Sequence, residues 1–202
     1  MTQDTLNDDI AFLKGLADGS SKASARDGAI LVAVGVIFSS VALQYWAIYA
    51  GRLDAPPAWV PWLWLDGLVP FLIVQALIST KLRVSAPGPA SRAISAAWGA
   101  VGLSLMFAVA ALAVASSRLS IPLLVTWIFP LVLFTLFGAS WLVAYAVRRR
   151  AAYLMVAGGS FAAAILCGLV MGQPEEWLVL SAGLLLLVAA PGAQILLALR
   201  KG

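Results

Sequence analysis

Six apolar runs of 21 to 27 residues leave this chain few ways to fold, because among them they admit a single acid and no base. The runs are 28–50, 59–80, 93–115, 121–147, 151–171 and 177–199. A helix rises about 1.5 Å per residue, so roughly 20 apolar residues cross the ~30 Å hydrocarbon layer of a bilayer. In lipid every backbone N–H and C=O must be satisfied internally, and none of these runs alternates with the two-residue period of a barrel strand. The expected fold is an all-α integral membrane protein, a six-transmembrane-helix bundle spanning 28–199. The predicted cytoplasmic segments are 1–27 and the short tail 200–202.

The bases sort themselves by gap. Lys14, Lys22 and Arg26 precede the first run, and Lys81, Arg83 and Arg92 follow the second. Arg148, Arg149 and Arg150 follow the fourth, and Arg200 and Lys201 the sixth; only Arg52 and Arg118 stand in the other gaps. The positive-inside rule then predicts both termini in the cytoplasm and outer loops near 51–58, 116–120 and 172–176. Glu175 and Glu176 fall in the last of these loops, but acids carry little weight in that rule.

Composition excludes several functions. The chain is 62% hydrophobic and 11% charged, with a net charge of +4. Its bases punctuate apolar runs without forming one patch, so nucleic acid is not an expected partner. There is no histidine, which removes haem ligation, imidazole relays and His-containing zinc sites. The lone Cys167 cannot form an internal disulfide, and every lysine lies at or beyond the predicted inner ends, against a Ser-Lys dyad. No catalytic residue, cofactor or metal is predicted, and the chain reads as non-enzymatic.

Ahead of the first run, Leu6, Ile10, Leu13 and Ala17 share one face at helical spacing. A short amphipathic helix is expected over about 5–17, lying on the membrane surface or docking a protein partner. Five acids in the first 27 residues argue against a cleaved signal peptide. With no eukaryotic targeting signal, the expected address is a bacterial inner membrane. Three helical hairpins of similar length, with related turns at Arg52-Leu53-Asp54-Ala55-Pro56 and Arg118-Leu119-Ser120-Ile121-Pro122, admit an internal pseudo-repeat.

Asp66 is the acid inside a run. Counting from Trp59 puts it about 10 Å below the outer end of a helix, and intramembrane carboxylates mark functional sites by default. Pro70 removes the hydrogen bond to the Asp66 carbonyl, as Pro130 does for Thr126. Depth matching sets Gln44, Tyr45, Thr126 and Ser181 at the level of Asp66, with Trp46, Trp62, Trp64 and Trp127 in the same zone. A carboxylate among aromatic faces suits an organic cation, although tryptophans also gather at membrane interfaces regardless of function.

Two functions therefore remain open. One is binding or transport of a small cationic or amphiphilic solute in an outer-half site formed by Asp66, Gln44, Tyr45, Trp62, Trp64, Thr126 and Trp127. The other is a membrane-embedded regulatory or scaffold subunit that engages a protein through its N-terminal helix.

Overall fold

A computed structural model describes residues 25–56, 59–82, 89–120 and 124–200. The N-terminal amphipathic segment, Arg83, Ile121, Pro122 and Lys201 lie outside the described residues. Among the described residues six helices are long and apolar enough to cross a membrane: α1 (Ala25–Tyr49), α2 (Leu63–Lys81), α3 (Pro89–Leu119), α4 (Leu124–Arg148), α5 (Ala151–Leu169) and α6 (Glu175–Arg200). The apolar runs form these helices because an unbroken stretch of that length has its own backbone as its only hydrogen-bonding partner.

One helix starts later than the run that encodes it. Trp59 lies in a turn and Val60–Trp62 forms a single 3-10 turn, so α2 begins at Leu63. Pro61 lacks an N–H and restricts the residue before it, which delays the α-helix. Asp66 consequently lies in the first turn of α2, nearer the helix end than a count from Trp59 implies.

Neighbouring helices follow one order across the bundle. α2 packs on α1, α1 runs along α6, α6 meets α5, α5 packs on α4, and α4 carries α3. The first and last helices thus form an inner seam, and α2 and α3 stand at the two ends of the order. In their most apolar windows 6% of α2 and 11% of α3 is buried, against 44% of α4, so these two offer their surfaces to lipid. The core is built from Val41 and Tyr45 of α1, Phe134 and Phe137 of α4, Cys167 of α5, and Trp177, Leu180 and Leu184 of α6.

The seam is set by glycine. A Cβ on Gly35 would stand 2.6 Å from the Ala189 nitrogen and 2.8 Å from the Leu184 carbonyl oxygen, closer than real Cβ contacts. Gly28 and Gly192 face each other lower down, where a Cβ on Gly192 would lie 2.7 Å from the Gly28 carbonyl oxygen. Close backbone approach of this kind is how small residues bind helices together where lipid removes the hydrophobic drive. α6 loosens into a π-turn at Leu185–Ala189, against Gly35 and just before Pro191. A proline cannot donate to the carbonyl four residues earlier, here Leu187, and the wider turn falls on that stretch. Midway along the seam the Ser39 and Ser181 hydroxyls share a buried hydrogen bond of 2.7 Å.

Candidate functional site

The α1 C-terminus, the α4 N-terminus and the α5–α6 connection meet at the end of the bundle opposite Arg148 and Arg200. α5 ends at Leu169, and the chain turns through Gly172, whose φ of +79° is open to glycine and strained for other residues. The Trp127 indole covers that glycine, its Cε2 3.6 Å from where a Cβ would stand. Pro174 caps α6, and Glu175 and Glu176 occupy its first turn, where the helix dipole favours negative charge.

Glu176 folds back beneath this turn. Its Oε2 accepts a 2.9 Å hydrogen bond from the Gly172 N–H, closing the connection. The residue is 1% exposed, and its Oε1 is buried with no hydrogen-bond partner. Among the described residues no base pairs with it. A carboxylate serving only as a loop clasp would use one oxygen; the second lacks a donor, which buried polar atoms seldom do.

Glu176 is among the residues around a recess of about 150 Å³, with Tyr49, Thr126, Trp127, Gly172, Gln173, Pro174 and Trp177. Behind it the aromatic rings form a stack. Tyr45 lies on Trp177 at 4.3 Å between ring centroids and 14° between planes, and Tyr49 lies on Trp177 at 6.2 Å and 16°. Trp64 leans on Tyr45 at 5.6 Å and meets Phe129 edge-on at 5.0 Å. These contacts fix the Trp177 ring, so the wall of the recess is preformed.

The residues singled out by depth and chemistry divide among three places. Thr126 and Trp127 line the recess. Tyr45 and Trp64 stand behind it in the aromatic stack, and the Tyr45 hydroxyl donates 2.9 Å to the Val60 carbonyl, tying the 3-10 turn to α1. Asp66 and Trp62 are on the exposed side of their segment, with Trp62 66% exposed. Gln44 is half-buried and lies off the recess wall, and Ser181 pairs with Ser39. The structure does not gather Asp66 with the residues expected to surround it.

Glu176, Tyr49 and Trp177 were not singled out from the sequence. Their one local signal is an acid pair beside a tryptophan just after Gly172-Gln173-Pro174, a helix start at a tight turn. The burial of Glu176 depends on α1 and α4, which lie far away in sequence.

A cation suits this geometry on two counts. It would supply a positive counter-charge for Glu176, and aromatic faces attract cations within about 6 Å. Drug-sized pockets run to roughly 300–1,000 Å³, so the recess restricts its guest to a few heavy atoms. A larger groove of about 470 Å³ between α3 and α4 is lined by Ala113, Ser116, Ser117, Ser120 and Val125, without a charged group. It adjoins residues 121–123, which lie outside the described residues. Among the described residues no group of three or more potential metal ligands is found.

Compared with protein-family models, curated proteins and solved structures, the chain matches none of them.

Proposed function

We propose that the chain is a multi-pass membrane protein, not an enzyme, that binds a small organic cation in the Glu176 recess as a receptor or transport site. The observation that supports this is a buried carboxylate with one unpartnered oxygen, on a residue beside a recess walled by Tyr49, Trp127 and Trp177. Glu176 provides the counter-charge, the rings provide cation–π faces, and the small volume selects ammonium-sized groups. The charge pattern supports an orientation with both termini inside and the recess on the outer side of the membrane, and a bacterial inner membrane is the address proposed. In this proposal Glu176 takes the place that the sequence reading gave to Asp66.

Tetramethylammonium chloride tests the proposal against sodium chloride at equal ionic strength, using the thermal midpoint of the detergent-purified protein. Saturating ligand stabilises by mass action, so the wild type is expected to gain on the order of 3 °C. Glu176→Gln keeps the shape and the acceptor for Gly172 N–H and is expected to abolish the gain; Asp66→Asn is expected to retain it. The reverse pattern would move the solute site to Asp66, and no gain in the wild type would overturn cation binding.

A further inference from the structure

At the other end of the bundle, α4 and α5 join through Arg148, Arg149 and Arg150, and the side chains there are arranged beyond what a topology anchor requires. A charge anchor needs bases near the headgroups and no particular contact. Arg148 instead turns back onto α5, its Nη1 donating 3.1 Å to the Tyr153 hydroxyl. Two helical turns earlier, Trp141 stacks on the same Tyr153 ring at 5.6 Å and 16°. Trp98 meets Trp141 edge-on at 5.3 Å and fixes it from the other side.

Both side chains that touch Tyr153 carry a buried N–H donor with no acceptor, Trp141 Nε1 and Arg148 Nε. Trp141 is 2% exposed, so its indole N–H is shielded from bulk solvent. α5 begins directly after this corner at Ala151, and its N-cap residue, Arg150, supplies no side-chain acceptor. Two buried donors without partners, an indole N–H and a guanidinium N–H, therefore belong to side chains that touch the same Tyr153 beside the start of α5. Four of the five described acids, Asp54, Asp66, Glu175 and Glu176, lie at the opposite end of the bundle. Asp27, near the start of α1, is the described acid at this end, and it has an interaction of its own.

We propose that the α4–α5 corner binds a phosphate group, with Trp141 Nε1 and Arg148 Nε as its directed donors and Tyr153 as the platform that positions both. A phosphate oxygen accepts several hydrogen bonds and carries the charge that a guanidinium and a helix N-terminus favour. To reach the buried indole the phosphate must displace the half-buried Arg148 side chain. The phosphate comes from an anionic lipid headgroup or from free phosphate, and the two sources separate by experiment. The site is independent of the solute recess at the far end.

The full-length protein in maltoside detergent is titrated with dioleoylphosphatidylglycerol, with dioleoylglycerol, which lacks the phosphate, and with inorganic phosphate, while its thermal midpoint is followed. Phosphatidylglycerol is expected to raise the midpoint by on the order of 5 °C, with dioleoylglycerol inactive. A shift from the lipid alone assigns a headgroup, and an equal shift from inorganic phosphate assigns the free anion. Trp141→Phe keeps the ring stack and loses the N–H, Arg148→Lys keeps the charge and loses Nε, and each is expected to remove most of the shift. If Trp141→Phe does not fold, Arg148→Lys decides alone. The proposal is overturned if the wild type does not respond, if the folded variants respond fully, or if Arg149→Gln alone removes the shift, which would reduce the effect to net charge.

Discussion

Tyr45 and Glu176 lie near each other at one end of the bundle and divide its work, which single-atom changes can separate. The Tyr45 hydroxyl is committed to the Val60 carbonyl and its ring to Trp177. Tyr45→Phe should therefore destabilise the protein by about 1 kcal/mol, the net worth of a hydrogen bond, and leave tetramethylammonium affinity unchanged. Chemical denaturation in detergent and a ligand titration read the two effects; a large loss of affinity with unchanged stability would make Tyr45 a ligand contact. The sequence marks Asp66 because a charge inside an apolar run stands out, whereas Glu176 sits at a run boundary where acids are ordinary. What distinguishes Glu176 is burial, and burial comes from Trp127, Tyr49 and the Gly172 turn closing over it. No window of the sequence contains that information. Thr126 and Trp127, expected beside Asp66 by depth along the helix, line the Glu176 recess instead; depth is a one-dimensional property that the sequence carries.

Helices were legible where length alone decides, and less so where backbone chemistry intervenes. The 3-10 turn ahead of α2 follows from Pro61, and it moves Asp66 into the first turn. Pro191 signals a disturbed hydrogen-bond ladder in α6, but its form, a π-turn at Leu185–Ala189, arises where Gly35 of α1 presses on the same segment. Glycines that look alike in sequence therefore differ in consequence. Gly35→Val places side-chain atoms into the Ala189 backbone and should cost about 1–3 kcal/mol, the usual range for overpacking. Gly99 on α3 has open space around its Cβ position, so Gly99→Ala should be neutral or stabilising by up to about 1 kcal/mol through helix propensity. Thermal midpoints of the two variants in one detergent check the contrast. Equal losses would mean that α3 packs against another surface in solution.

At the scale of the molecule, six apolar helices follow from composition and length, while their neighbour order does not, since hydropathy does not say which faces meet. The α1–α6 seam joins the two ends of the chain through Gly28, Gly35 and Gly192, a match made by shape and not by polarity. The sidedness of the molecule rests on charge and is open to a direct chemical test. Cys167 is fully buried near the Glu176 end of α5, so the native chain should be silent toward a membrane-impermeant maleimide. Asp54 is exposed in the α1–α2 connection, at the Glu176 end, and Leu82 is exposed just past α2, at the Arg148 end. Asp54→Cys should label in intact cells, and Leu82→Cys only after the membrane is permeabilised. The bases crowded at the Leu82 end dictate this outcome, because translocating a short basic loop is disfavoured. Labelling in the opposite order would turn the Glu176 recess toward the cytoplasm and the Arg148 corner outward. The recess would then be open to intracellular cations, and the phosphate site would face the outer leaflet.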